Sequence, residues 1–181
     1  MSSHIPMLEI PLKLTYPIDI DKPIYKYIKH HCKDLYDEER DKNAAKNLDE
    51  LRSKAVQNTI DANKKSTEIV AQYYDQLKLL MPKVPILPNN MHPNSVNIRF
   101  TWHNAYDHKK DRTQSQNGHF EILCVLYNLA CLKIKIAAQC NQNEDSDLLA
   151  ALKGLQSAAG YLDFLISAMA RVMANENYTN D

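Results

Sequence analysis

Gly118-His-Phe-Glu-Ile-Leu-Cys-Val-Leu-Tyr-Asn-Leu-Ala-Cys-Leu-Lys-Ile-Lys-Ile-Ala-Ala-Gln139 is the stretch on which the fold turns. One stripe at helical spacing holds Phe120, Leu123, Cys124, Tyr127, Ala130, Cys131 and Ile134, and a second holds Ile122, Val125, Leu126, Leu129 and Leu132. A helix that is apolar on both sides cannot face water and has to be packed between other elements. Glu121 and Asn128 interrupt it with polar side chains whose helical neighbours are almost all apolar. Burying such groups is costly unless they are hydrogen-bonded, so both read as internal tethers that fix how neighbouring elements dock. A catalytic role for Glu121 is the lesser reading.

Outward from this central helix, most of the regular structure reads as helical. Residues 23–35 form a first helix with Pro23 in its first turn and Ile24, Ile28 and Leu35 facing inward. A second covers about 42–57, burying Leu48, Leu51, Ala55 and Val56. A third runs from Asp61, a plausible N-cap, to Leu80, with Ile69, Val70, Tyr73, Leu77 and Leu80 inward. A proline-rich linker comes next, and the polar run 108–117 reads as a loop. The last helix covers about 146–173, with the stripe Leu148, Leu152, Leu155, Ala159, Leu162, Ile166, Met169 and Met173; Gly154, Ala158, Ala159 and Gly160 make part of it narrow enough for another helix to approach. Two segments alternate with period two, 7–14 and 95–102, and are expected to pair as strands, Pro11 placing the first at a sheet edge. The last two helices carry more apolar surface than the rest can cover. The expectation is a domain cut short or completed by something else, whose exposed Leu162, Ile166 and Met169 cause self-association or dye binding.

At 181 residues, 44% apolar and 24% charged, the chain fits one domain with a substantial core. Its three glycines stand in no G-x-G or GK[ST] context, which excludes Gly-rich phosphate loops. Twenty-two basic residues balance twenty-two acidic ones, whereas specific nucleic-acid binders carry a basic excess, so no nucleic-acid partner is expected. No stretch approaches the roughly 20 apolar residues of a membrane span. The N-terminus lacks signal-peptide character, and Ser2 stands where N-myristoylation demands glycine. Cys124 and Cys131 lie on one face of the apolar helix as small hydrophobes, which fits a reduced, cytoplasmic chain better than disulfides.

Candidate chemistry is thin. His30, His31 and Cys32 are adjacent, and adjacent helical residues diverge by about 100°, so they do not converge on a metal. Cys32 as a phosphatase nucleophile would need a glycine-containing loop ending in Arg. The residues after it are Lys-Asp-Leu-Tyr-Asp-Glu-Glu-Arg, whose carboxylates raise a thiol pKa. Asp107 with His103 or His108 resembles part of a hydrolase relay, but Ser115, in Gln-Ser-Gln, is no nucleophile elbow. No catalytic residue, cofactor or metal is expected. Lys22, Lys26, Lys29 and Lys33 form a basic row on the first helix. Its plain reading is a solvated face; the sharper one is weak contact with an anionic membrane, at about 1 kcal/mol per lysine.

Several segments together resemble the Bro1 domain, the helical module at the front of Alix-type endosomal adaptors and of the His-domain tyrosine phosphatase. Glu121 to Gln139, EILCVLYNLACLKIKIAAQ, is similar to the family's E-x-x-x-V-L-[FY]-N-x-x-A-L run with its I-A-A end. YYDQLKLLMPKVP (73–85), FTW (100–102), LDELRSKAV (48–56) and QSAAG (156–160) are similar to further family elements in the same order. Met7 after Pro6 leans toward the phosphatase-like branch, and the acidic stretch 143–147 toward the Alix branch. The resemblance implies a mainly α fold, antiparallel helices in a partial solenoid-like arrangement with a small N-terminal β element. It also implies a non-enzymatic adaptor of the endosomal sorting (ESCRT) pathway, cytoplasmic and recruited to endosomes, acting in multivesicular-body protein sorting. The partner implied is the C-terminal amphipathic helix of an ESCRT-III subunit, received in a concave groove. The family domain is about twice this length, and its groove is built largely by helices after the one ending near Met173. Of the groove positions only Asp145 carries over. Alternatives are a helical scaffold lacking that groove and, remotely, a metal or cysteine hydrolase.

Overall fold

The computed structural model describes residues 10–57, 61–107, 112–141 and 143–177, with side chains as far as residue 169. The chain runs α1 (Asp21–His31), a 3-10 turn (Lys33–Leu35), α2 (Glu38–Ala55), α3 (Lys64–Leu80), β1 (Phe100–His103), β2 (Arg112–Ser115), α4 (Gly118–Ala138) and α5 (Asp145–Asn177). Each helix packs on its neighbours in the chain, giving a mainly α, solenoid-like row with a two-stranded sheet between α3 and α4.

Caps set the helix starts. The Asp37 carboxylate accepts from Arg40 N at 2.8 Å, while Asp37 N donates to the Asp41 carboxylate at 3.0 Å. This reciprocal cap starts α2 four residues before the expected 42. Asn63, not Asp61, caps α3 by accepting from Ser66 N at 2.9 Å. α1 stops at His31 instead of 35, and Leu35 is exposed where the sequence pattern turns it inward. Lys33 therefore sits in the 3-10 turn, and the four lysines do not form one helical row.

The expected pairing of strands 7–14 and 95–102 is replaced by a different sheet. β1 pairs antiparallel with β2, Phe100 opposite Ser115, and β2 lies inside the run read as a loop. Arg112, Thr113 and Gln114 are exposed, so no apolar alternation marks the strand. Residues 7–9 lie outside the described residues. Residues 10–14 are an extended strap joined to β1 at one bridge, Thr15 to Trp102, with His103 N donating to Leu14 O at 2.8 Å. The alternation after 95 is nevertheless real: Val96, Ile98, Phe100 and Trp102 are buried, and Asn97 and Arg99 are exposed.

Side chains of α4 satisfy the strap's backbone. Asn128 Oδ1 accepts from Lys13 N at 2.8 Å, and Asn128 Nδ2 donates to Lys13 O at 2.9 Å. One amide side chain thus stands in for a neighbouring strand. Tyr127 OH adds a donation to Pro11 O at 3.2 Å.

Glu121 joins four elements. Its Oε1 accepts from Arg52 Nε of α2 at 2.9 Å and from Tyr73 OH of α3 at 3.1 Å; its Oε2 accepts from Trp102 Nε1 of β1 at 2.6 Å. Glu121 is 0% exposed and Arg52 is 1% exposed. Arg52 also reaches Tyr16 O at 3.4 Å and lies over the Phe100 ring at 5.9 Å. The carboxylate has all its charge answered by donors from three other elements, which is what a buried ion requires. Its setting pushes the Tyr73 hydroxyl well above its ordinary pKa, through burial first and the Glu121 charge second.

Gly118 marks where α4 meets the proline-rich linker. Its N donates to Ile86 O at 2.9 Å, and a Cβ there would stand 2.5 Å from Met81 Sδ and 3.2 Å from Ile86 Cβ. No side chain larger than hydrogen fits without displacing that contact.

Candidate docking surface

α4 is flanked by α3 and α5, and beside its C-terminal end the first turns of these two helices stand apart. The result is a cleft of about 540 Å³. Its floor is α4, through Ile136, Ala137 and Cys140. One wall is the first turns of α5, where Ala150, Ala151 and Gly154 present little bulk; the other is the start of α3, Lys64, Thr67 and Glu68. The rim carries both signs: Lys64 lies 4.0 Å from Glu68, Lys133 leans over the Tyr161 ring at 6.0 Å, and Asp147 stands opposite. The floor is largely apolar, lies between rims that carry charge, and brings the Cys140 thiol to the cleft.

The sequence-derived candidates fall in different places. Asp145 is exposed in the first turn of α5, two residues before Asp147 of the cleft wall. Lys22, Lys26, Lys29 and Lys33 are exposed at α1, but Lys22 Nζ is 2.6 Å from Asp19, and Lys29 lies 4.0 Å from Glu38 and 5.9 Å from the rings of Tyr25 and Tyr36. Half the row is thereby engaged within the chain. His30, His31 and Cys32 are exposed at the end of α1, with His31 stacked on Tyr27 at 4.6 Å. Ser115 Oγ accepts from Asn117 N at 3.1 Å, inside the turn that starts α4. His108 lies outside the described residues. Cys124 and Cys131 are buried; burial pushes both thiols up, Cys131 to about 11.

Sequence reasoning missed the cleft-lining residues of α3 and the end of α4. The one available signal was the narrow part of α5 at Gly154, Ala158, Ala159 and Gly160, of which Gly154 lines the cleft. Gly154 does face α4, since a Cβ there would lie 3.7 Å from Lys133 O and 4.0 Å from Ala137 Cβ. No helix among the described residues is long and apolar enough to cross a membrane.

Comparison with known proteins gives consistent matches. The profile of the BRO1-like domain family matches residues 7–180. Programmed cell death 6-interacting protein of Xenopus laevis is 32% identical over 158 residues, covering 84% of this chain and 18% of that protein. The Homo sapiens protein of that name is 30% identical over 174 residues, covering 91% of this chain and 20% of its own length. Vacuolar protein-sorting protein BRO1 of Gibberella zeae is 31% identical over 163 residues, covering 88% of this chain and 15% of its own length. Among solved structures, an ALIX BRO1 CHMP4C complex superposes with a TM-score of 0.77 at 29% identity, covering 87% of this chain and 44% of that one. ALIX in complex with the SIVmac239 PYKEVTEDL late domain gives 0.73 at 29% identity, covering 87% of this chain and 23% of that one. The chain thus spans a fifth or less of these curated relatives and less than half of the solved domain.

Proposed function

The chain belongs to the BRO1-like domain family, and from that premise we propose that it is a non-enzymatic docking module of endosomal protein sorting. Its partner on this reading is the C-terminal amphipathic helix of an ESCRT-III subunit, bound in multivesicular-body sorting. The observation that carries the proposal is the superposition on a BRO1 domain described in complex with CHMP4C. The cleft over α4 supports it physically. Helix-in-groove recognition needs apolar pockets for anchors spaced three or four residues apart, with charge at the rim to fix direction. Ile136, Ala137, Cys140, Ala151 and Gly154 offer such a pocket; Asp147 lines it, and Asp145 stands two residues earlier in the same first turn of α5. We read the chain as cytoplasmic and recruited to endosomes, with Lys26 and Lys33 adding weak attraction to an anionic membrane and unable to anchor it.

The non-enzymatic reading rests on chemistry. Glu121 is enclosed by donors, and the two buried thiols are held protonated at neutral pH. The test is a fluorescence titration of a labelled ESCRT-III C-terminal peptide into the folded chain. Saturable binding, weakened by up to about fivefold in Asp145→Ala through loss of a surface charge worth about 0.2–1 kcal/mol, is the expected result. A peptide that fails to bind a chain with intact helical circular dichroism would favour a helical scaffold without an ESCRT-III groove. Turnover of a phosphoester by the same preparation would revive the hydrolase reading.

A further inference from the structure

Two hollows meet at Tyr27, where α1 faces the proline-rich linker. One, of about 340 Å³, is lined by Lys26, His30 and His31 of α1 and by Asn94, Ser95 and Asn97 of the linker. The other, of about 200 Å³, is lined by Lys83 and His92 of the linker and by His119 of α4. Tyr27 borders both, and its ring stacks on that of His31 at 4.6 Å. No carboxylate lines either hollow, although the chain carries as many acidic as basic residues. The cleft over α4, by contrast, has Glu68 and Asp147, and the hollow between α2 and α3 has Glu50.

The charge at Tyr27 is uncompensated. Lys22 and Lys29 of α1 each lie beside a carboxylate. Neither Lys26 nor Lys83 has an ion-pair partner among the described residues. Around these two ammonium groups stand four imidazoles, and an imidazole offers one N–H when neutral and a full positive charge when protonated. At His92, Asn94 N donates to Nδ1 at 3.2 Å, so Nε2 carries the hydrogen. The imidazoles do not form a metal centre. Among the described residues, the one trio of potential metal ligands that converge is Asp19, Asp21 and Asp49, and none of these lines the hollows.

We propose that this surface binds a phosphate monoester, seated across Tyr27 between Lys26 and Lys83. Such a group carries close to two negative charges on three terminal oxygens, more acceptors than a carboxylate has. Donors from α1 and from the linker can therefore share it. The side-chain amides of Asn94 and Asn97 add neutral donors on the α1 side. The surface lies at the α1 end of the helical row, whereas α5 packs on α4 at the other end. It thus stands apart from the ESCRT-III reading, which uses the cleft beside α5. Lys26 also contributes to the weak membrane attraction proposed for α1, and a soluble ester separates the two roles.

The test titrates glycerol 3-phosphate into the full chain at constant ionic strength, with glycerol as control, and follows the histidine Cε1–H resonances by NMR. Those of His30, His31, His92 and His119 should move together and saturate below about 10 mM. That of His103, against Tyr16 on β1, should stay in place. Lys26→Glu or Lys83→Glu should each weaken binding about fivefold; Lys153→Glu, an equal charge change on α5, should leave it within about twofold. All three positions are exposed, so unchanged helical circular dichroism shows that the fold is retained. Vesicles then identify the source of the ester that the chain binds. Preference for phosphatidic acid, a monoester, over phosphatidylserine at matched surface charge assigns a lipid headgroup, and equal binding assigns a soluble ester. Resonances unmoved by 10 mM ester, shifts that glycerol or chloride reproduces, or a Lys153→Glu variant as weak as Lys26→Glu would each overturn the proposal.

Discussion

Glu121 takes its three donors from α2, α3 and β1, so one carboxylate sets the mutual position of four elements. Removing it strands a guanidinium that is 1% exposed and whose Nη2 already lacks a protein partner. Glu121→Ala is therefore expected to cost about 3–5 kcal/mol, read as a lowered urea midpoint with a fall in near-ultraviolet signal from Trp102. Arg52→Met combined with Glu121→Leu should recover much of that loss, because no isolated charge then remains. The cysteines make a second expectation at this scale. Burial raises the Cys131 thiol to about 11 and lifts Cys124 further, so near neutral pH both are almost wholly protonated and poor nucleophiles. A thiol reagent at pH 8 should label exposed Cys32 rapidly, and reach Cys124 and Cys131 only after denaturant is added. That Glu121 and Asn128 are tethers was legible in the sequence, since a polar residue inside an apolar helix has few other fates. Their partners were not, because Arg52 and Lys13 look like ordinary solvated cations until the chain is folded.

The elements that sequence reading located well are those with long apolar periodicity. α3, α4 and α5 fall within a few residues of expectation, because a packed helix repeats its burial every turn. The misplacements have local causes. β2 carries no apolar signal, and α2 begins at a reciprocal cap invisible to a search for apolar residues. The strap alternates like a strand because one side is covered, yet its main chain is answered by an amide side chain instead of a neighbouring ladder. Asn128→Ala removes both bonds and leaves the partly buried Lys13 peptide groups unsatisfied. The expected result is a loss of about 1–3 kcal/mol, with faster amide exchange confined to residues 10–15 and the helical signal retained. Asn128→Leu should do no better, since bulk is not what the strap requires.

At the scale of the molecule, α1 to α4 are closed around shared buried groups, while α5 keeps one face outward and a cleft open beside it. The excess apolar surface of the last two helices was legible in the sequence, although α4 hides its share and α5 does not. The cleft was not legible, because its lining comes from three separate helices that no single stretch of sequence brings together. Order of synthesis adds a consequence. Lys13 is held by a residue 115 positions downstream, and Arg52 by one 69 positions downstream. On a ribosome, the opening third of the polypeptide thus emerges long before its anchors exist, and it must wait, loosely gathered and open to chaperones, until α4 leaves the exit tunnel and locks everything already made.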